Sequence, residues 1–514
     1  MLRFIPKSFG RHLRIIRSTR AASSLSLIKN EDLVQTGAFI NGEFVQNDAK
    51  FLVRNPFDLS PLAEVTDTSL SQVNDAINYS KEAFQDFSRN TTPRARAAIL
   101  SNFYRLMIEN KEDLARLITL ENGKPLSDAR GEVSYAASFL QWFSEEAPRI
   151  NGDLISSANP ANRILTLKQA VGPVGILTPW NFPSAMITRK LSAAFAAGCT
   201  VVIKPASETP LSSLALCQLA REAGVPAGAL NVVPVNNKMT PKVGEIFCES
   251  PILKKISFTG STRVGKILLG ESASTMKKLS FELGGNAPFI VFSDVKDIDK
   301  AVDGLISSKF RSSGQTCICT NRVFLQDEIY DEFTSKLVKK LKATTKIGNG
   351  LDESVTHGPL IHDRALEKVQ FQIKDATAKG AKIVYGGHAL PELGPFFHEL
   401  TVLTDVGPAM DIFHNETFGP IAPLIRFKDT DEVLRLANDT EVGLAGYVYS
   451  SDISNLFKVA EQLGVGMVGA NTGLISEAAL PFGGVKQSGF GREGSKYGVD
   501  EYTVLKSIVL NVKD

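Results

Sequence analysis

Between residues 174 and 282 the chain alternates between short apolar runs of a strand's length and longer stretches with helical spacing. Strand-like runs fall at 174–178, 200–204, 230–235, 255–259 and 277–282, with helical stretches such as 211–223 and 240–248 between them. Parallel neighbours cannot be joined by a tight turn, so this repetition predicts a parallel sheet with helices on both faces. The alternation resumes after Gly285. There 288–292, 322–326, 382–385, 421–427, 446–449 and 466–470 read as strands, and 329–344, 363–378, 429–438 and 453–463 as helices. Two such runs predict two α/β units in a chain of 514 residues.

Upstream, residues 67–149 read mostly as helix, with apolar residues at three- and four-residue steps over 71–87 and 93–118. Ile155 and 163–171, on either side of Asn159-Pro160, predict a hairpin, and 504–512 a last strand. The charge is nearly balanced, 57 Lys and Arg against 55 Asp and Glu, which argues against a nucleic-acid binder. No apolar run approaches the roughly 20 residues of a membrane-spanning helix. Five scattered cysteines do not make a disulfide scaffold.

That balance hides an uneven distribution. The first thirty residues hold seven basic side chains and no acid, leaving −5 for the rest. Arg11, Arg14, Arg17 and Arg20, with Phe9, Leu13 and Ile16 between them, predict an amphipathic basic helix, and Ser and Ala follow over 18–24. This is the composition of an organellar import peptide, most simply mitochondrial, the alternative being a plain basic tail. Cleavage would fall within 20–30, so residues 1–30 are set outside the fold.

Four segments are candidates for chemistry. In the loop Phe310-Arg311-Ser312-Ser313-Gly314-Gln315-Thr316-Cys317-Ile318-Cys319, a cysteine between a helix and a strand is placed like a nucleophile. A small buried hydrophobe is the alternative. No His lies within ligand spacing of a cysteine pair, so no metal site is expected. In Phe281-Glu282-Leu283-Gly284-Gly285-Asn286, a carboxylate at a strand's carboxyl end suits a general base, or else a helix cap. In Pro179-Trp180-Asn181-Phe182-Pro183, Asn181 can offer its amide to an oxyanion, or simply make a turn. Gly260-Ser261-Thr262-Arg263-Val264-Gly265-Lys266 joins a strand to a helix as a phosphate-binding turn does. It nearly spells the loop of a nucleoside triphosphatase, but Ile267 stands where a magnesium-binding Ser or Thr belongs.

Taken in order, Asn181, Lys204-Pro205-Ala206-Ser207, Gly260–265, Glu282, Cys317 and Glu416-Thr417-Phe418-Gly419-Pro420 resemble the NAD(P)-dependent aldehyde dehydrogenase family, from about Phe39 to Ile508. Glu282-Leu283-Gly284-Gly285 and Gly314-Gln315-Thr316-Cys317 at this spacing are its most specific marks. The stretches around Trp180–Lys190, Phe310–Cys319, Asn471–Ser476 and Pro481–Tyr497 are most similar to the branch that oxidises succinate semialdehyde to succinate, the last step of 4-aminobutyrate breakdown.

The resemblance implies an α/β fold with a Rossmann-like cofactor domain over 31–149 and 171–283 and an α/β catalytic domain over 284–494. A β-arm over 150–170 and 495–514 would pair with a neighbouring subunit in a homotetramer or dimer. It implies Cys317 as nucleophile, Glu282 as general base and Asn181 as oxyanion donor. NAD or NADP would be held by Trp180, Lys204, Pro205, Ala206, Ser207, Gly260, Ser261, Thr262, Arg263, Val264, Gly265, Glu416 and Phe418. NAD-specialised members carry an acid three residues after the Lys. Here that position is Ser207 and the acid is Glu208, which leaves both cofactors open. Arg189, Arg311 and Ser476 fall where the branch binds its substrate carboxylate, and Cys317 with Cys319 where it can form a redox switch, Cys319 otherwise being a packing residue. The resemblance further implies a mitochondrial matrix enzyme. Glutarate semialdehyde, or a broader range of aldehydes, is the alternative substrate. A non-catalytic protein keeping this fold is a further alternative, against which the presence of Cys317, Glu282 and Asn181 together argues.

Overall fold

The computed structural model describes residues 24–512, and the basic helix expected near the amino terminus lies outside them. The first sheet has eight strands. Its parallel centre runs Leu230–Val232, Val201–Lys204, Val174–Leu177, Lys255–Thr259 and Lys278–Glu282. Successive side chains on these strands enter opposite faces. Val201 and Ile203 join a cluster with the helices between Pro93 and Glu222, whereas Val202 joins one with helices Leu70–Arg89, Thr240–Glu249 and Thr262–Ser272. The sheet is therefore covered on both sides, as the alternation predicts.

Antiparallel strands close its edges. Ala38–Ile40 and Glu43–Val45 flank one side, and Gly489–Phe490, from the far end of the chain, flanks Lys278–Glu282 on the other. These pieces of two or three residues are too short to show a period in sequence. The hairpin Lys50–Arg54 with Pro61–Thr66 also escaped the sequence reading, its strands being half exposed and mixed in character.

A second sheet of seven strands runs Lys382–Tyr385, Thr401–Thr404, Ile421–Phe427, Thr320–Gln326, Ala287–Val291, Ala445–Tyr449 and Met467–Ala470. Only Lys382–Tyr385 is antiparallel. The buried strand Thr401–Thr404 is not among the strands expected from the sequence; its two aliphatics between two threonines are too short a run to show a period. A third, separate sheet pairs Thr503–Asn511 with Asn162–Ala170 over nine residues and adds Leu154–Ile155. Leu154, Leu505 and Val509 on it are 72%, 63% and 60% exposed, an apolar edge of the kind proteins usually cover. No helix among the described residues is long and apolar enough to cross a membrane.

The structure corrects the boundary drawn at residue 30. Residues 24–30 belong to the folded body: Ile28 is 3% exposed, in the core cluster that holds helix Lys111–Asn122. Arg116 donates to the Leu27 carbonyl at 3.1 Å, and the Asn30 amide donates to Asp113 at 2.9 Å. The sequence hid this because the short apolar run Leu25–Ile28 adjoins the basic segment and is too brief to carry a period. Burying one isoleucine is worth about 1.5–3 kcal/mol. A chain starting at Ser24 should melt like the full-length protein, and one starting at Glu31 several degrees lower, by calorimetry. Equal melting of the two would show that this contact is not part of the stable core.

Candidate active site

Parallel sheets place their sites where the carboxyl ends of strands meet loops. Lys278–Glu282 ends on Glu282, and Val201–Lys204 ends on Lys204. The Cys317 loop lies between helix Ile298–Lys309 and strand Thr320–Gln326 of the other sheet. The site is thus assembled from both α/β units.

The loop is tightly wound. Ser312 and Ser313 have φ of 49° and 54°, a left-handed conformation that non-glycine residues seldom adopt. At Gly314, φ is 78°, and a Cβ there would lie 2.2 Å from the Gly419 carbonyl oxygen. No other residue fits without moving backbone. Gln315 pins the turn. Its Nε2 donates to the Ser312 and Pro359 carbonyls, each at 3.2 Å, and its Oε1 accepts from the Ile361 amide at 3.0 Å. The Gln315 carbonyl in turn accepts from Asn181 Nδ2 at 3.1 Å, so the oxyanion candidate and the cysteine loop are joined directly.

Cys317 is half-buried and forms part of the wall of two clefts. The first, with about 660 Å³ of open space, is lined by Trp180, Asn181, Gly260, Ser261, Glu282, Glu416 and Phe418 among others. Trp180 meets Phe418 edge-on at 5.6 Å. Glu416 accepts from the Gly285 amide at 3.2 Å. The second, with about 510 Å³, is lined by Tyr135, Phe182, Met186, Arg189, Arg311, Tyr447, Ser476 and Phe482 among others. One cleft therefore offers glycine backbone, carboxylates and aromatics, and the other two guanidinium groups among aromatics.

Buried charge sets the electrostatics. Arg189 and Lys190 both form ion pairs with Glu493, and all three are buried. Lys190 also donates to Thr259 Oγ1 at 2.7 Å. Burial opposes the charge on Glu493, but Arg189 and Lys190 more than offset it and hold the carboxyl below its ordinary range. Glu282 goes the other way, pushed well above the carboxylate range by burial and then by Glu493. Both of its oxygens are buried without a hydrogen-bond partner among the described residues. Burial likewise pushes the Cys317 thiol up to about 12, with Arg189 pulling against it. In the resting site both groups are therefore biased toward their protonated forms. Arg189 keeps its charge: burial opposes it most strongly, but Glu493, Tyr135, Cys317 and Glu282 together outweigh burial. Its Nη2 is buried without a hydrogen-bond partner among the described residues. Arg311 lies 5.2 Å from the Phe182 ring centroid and has no carboxylate partner among the described residues.

The other sequence candidates fall into separate places. Lys204, Pro205 and Ala206 are buried, and burial lowers the Lys204 amine to about 8. Ser207 and Glu208 line a neighbouring cleft of about 840 Å³ with Glu121, Asn236, Asn237 and His362. There Glu208 is already engaged, accepting from Ser207 at 3.2 Å and Asn237 at 3.1 Å. Ser261 caps helix Thr262–Ser272 by accepting from the Val264 amide at 3.4 Å. The side chains of the residues behind it point elsewhere than into the first cleft. Thr262 donates to the Gln487 carbonyl, Arg263 is exposed, and Val264 packs into an apolar cluster. A Cβ on Gly265 would lie 2.8 Å from Leu283, so glycine there lets helix and strand pack closely. Cys319 is buried, with Sγ 2.8 Å from Thr316 Oγ1 and 3.4 Å from the Lys309 carbonyl. Sequence reading missed Lys190 and Glu493. They are 303 residues apart, and only the basic pair Arg189-Lys190 in an apolar helix hinted at a buried acid. No cluster of metal-ligating side chains exists among the described residues.

The first cleft fits a dinucleotide. A capped helix start with an open Gly260-Ser261 suits a pyrophosphate, and the half-buried Glu416 in the same wall suits a ribose hydroxyl.

Residues 44–508 match the model of the aldehyde dehydrogenase family. The chain is 53% identical over 476 residues to "Succinate-semialdehyde dehydrogenase [NADP(+)] 1" of Schizosaccharomyces pombe, covering 92% of this chain and 95% of that protein. It is 50% identical over 476 residues to the human "Succinate-semialdehyde dehydrogenase, mitochondrial", covering 93% and 88%. The solved structure of succinate-semialdehyde dehydrogenase from Burkholderia pseudomallei superposes with a TM-score of 0.92 at 48% identity, covering 94% of this chain and all of that one.

Since the Cys317 thiol sits near 12, its thiolate fraction rises about tenfold per pH unit across the neutral range. Iodoacetamide should label Cys317 about ten times faster at pH 8.5 than at 7.5, with no plateau below pH 10, as followed by peptide mass spectrometry. A plateau near pH 8 would contradict the electrostatics described above.

Proposed function

This chain belongs to the aldehyde dehydrogenase family, and we propose that it oxidises succinate semialdehyde to succinate with NAD(P)+, completing the breakdown of 4-aminobutyrate. The observation that carries the substrate assignment is the second cleft. Two guanidinium groups, from Arg189 and Arg311, reach it from different segments beside the same cysteine, and Arg189 leaves a buried donor unmatched. An aldehyde with a carboxylate at its far end satisfies both requirements, because a planar guanidinium binds a carboxylate through two parallel hydrogen bonds. Ser476 adds a hydroxyl to that wall.

Cys317 loses its proton and Sγ attacks the aldehyde carbon, forming a thiohemiacetal. The oxyanion is met by Asn181 Nδ2 and the Cys317 amide, and losing one such donor costs about 10²–10³ in rate. Bound in the first cleft, NAD(P)+ would supply the hydride acceptor for this carbon, leaving a thioester on Cys317. Glu282, once ionised, takes a proton from the water that attacks the resulting thioester, and succinate and the thiol separate. The balance is one aldehyde, one NAD(P)+ and one water giving one carboxylate, one NAD(P)H and two protons. Trp180, Lys204, Ser207, Gly260, Ser261, Glu416 and Phe418 would hold the cofactor. A 2′-phosphate is admitted because Ser207 is small and Glu208 is occupied by Ser207 and Asn237. NADP+ is therefore accepted as well as NAD+.

Three further features complete the reading. The exposed strand Thr503–Asn511 and its neighbour Asn162–Ala170 form the edge by which subunits pair, in a homotetramer. The basic residues at the amino terminus direct the protein to mitochondria, with processing before Ser24 so that Ile28 stays in the core. Oxidation inactivates the enzyme by joining Cys317 to Cys319, which first requires Cys319 to leave Thr316 and the Lys309 carbonyl.

Purified protein should oxidise succinate semialdehyde with kcat/KM at least a hundredfold above propanal, with either cofactor. Arg311 is the cleaner test of the clamp, since removing Arg189 also strands Glu493. Arg311→Ala should raise KM for succinate semialdehyde about tenfold to hundredfold and leave propanal within about threefold. Equal losses on both aldehydes would overturn the assignment.

A further inference from the structure

Asp128 and Glu132, four residues apart, share one face of helix Leu126–Glu146, and Lys124 stands just before the helix start. Each reaches away from that helix into backbone next to the candidate active site. Lys124 Nζ donates to Glu132 Oε2 and to the Asn181 carbonyl, both at 2.6 Å, and lies 3.8 Å from the Phe182 ring centroid. Glu132 Oε1 accepts from the amides of Ser184 at 2.9 Å and Ala185 at 3.4 Å. These are the first amides of helix Ala185–Ala197, the helix that carries Arg189 and Lys190. Asp128 Oδ2 accepts from the Ser312 amide at 2.9 Å and its hydroxyl at 3.4 Å, where the backbone adopts its left-handed turn.

The side chains of Lys124 and Glu132 are 1% and 0% exposed. Neither is needed to fill space, since aliphatic residues would pack as well. They are needed because the Asn181 carbonyl and the Ser184 amide are buried, and a helix start wants negative charge close by. Burial lowers the proton affinity of the Lys124 ammonium, and the adjoining Glu132 carboxylate offsets part of that loss. Asp128 makes the corresponding bond on the other α/β unit.

We infer that Lys124, Asp128 and Glu132 form a brace that sets the Asn181 turn and the Arg311–Cys317 loop relative to each other. Lys124 and Glu132 are positioning residues for the oxyanion donor, and Asp128 is one for the carboxylate-binding Arg311. The inference rests on the roles proposed above for Asn181, Cys317 and Arg311. The two turns meet at the Asn181 to Gln315 bond, so a shift of either displaces the amide from the place where negative charge develops.

The test is a double-mutant cycle in the full chain, measured with succinate semialdehyde and propanal. The paired variant Lys124→Met/Glu132→Gln removes both charges and leaves neither ion stranded. It should lower kcat about tenfold to hundredfold on both aldehydes, with KM within about threefold. Combined with Asn181→Ala, it should lose little more than Asn181→Ala alone. Multiplying losses would overturn the brace. An Asn181→Ala variant with unchanged kcat would instead overturn the role given to Asn181 itself, which separates the two failures. Asp128→Ala, on a half-buried residue, provides the second arm should the paired variant not fold. It should raise KM for succinate semialdehyde about fivefold or more and lower kcat on both aldehydes together, because the Asn181 to Gln315 bond shifts with the loop. An unchanged kcat on propanal, or a KM raised equally for both aldehydes, would overturn the brace from that side.

Discussion

One buried carboxylate between two buried cations organises this molecule. Glu493 comes from the segment leading to the last strand, and Arg189 and Lys190 from a helix packed under the first sheet. Their attraction joins parts of the chain some 300 residues apart at the floor of the active site. It also fixes the polarity of everything nearby. Glu493 is held in its ionised form because two cations face it, whereas Glu282 is pushed toward its protonated form, first by its burial and then by that same negative charge. Arg189 stays charged because Glu493 faces it, and so remains available to a second carboxylate. A single ion-pair cluster thus gives the general base and the substrate clamp their opposite characters.

The geometry around Cys317 follows a similar economy. One sulfur serves two clefts because its loop is held from several sides: by Gln315 to Pro359 and Ile361, by Asp128, and by the contact of Gly314 with Gly419. The backbone strain at Ser312 and Ser313 is sustained by these bonds and leaves Arg311 and Cys317 on either side of one tight turn. Chemistry that needs a carbonyl carbon at the sulfur and a carboxylate at the guanidinium is served by such a fixed separation.

Much of the framework was legible because alternation of strands and helices is a strong, long-range regularity. The helix Asp363–Ala378 and the strand Lys382–Tyr385 appear at the residues their spacing indicates. The reading failed where elements were short or mixed in composition, as for Glu43–Val45, Gly489–Phe490 and Thr401–Thr404. It also failed at Ile28, whose burial depends on a helix more than eighty residues away. At the site, the residues named in sequence were those in loops rich in Gly, Asn and Gln. Those that went unnamed, Lys124, Glu132, Lys190 and Glu493, are charges inside helices or at their margins. A charge there looks like solvated surface until its partner is found, and apart from the Lys124–Glu132 pair itself those partners lie 52 to 303 residues away.

The contact at Gly314 bears on inheritance. Its backbone rests on the Gly419 carbonyl in a conformation that side chains avoid, so any codon change that adds a side chain must displace one of two loops at the cleft. Nearby surface positions are free to drift over generations, whereas this one is closed to almost every missense allele. Two lineages that diverged at most of their positions would still share this glycine, because the steric barrier stands independently of which aldehyde their environments supplied.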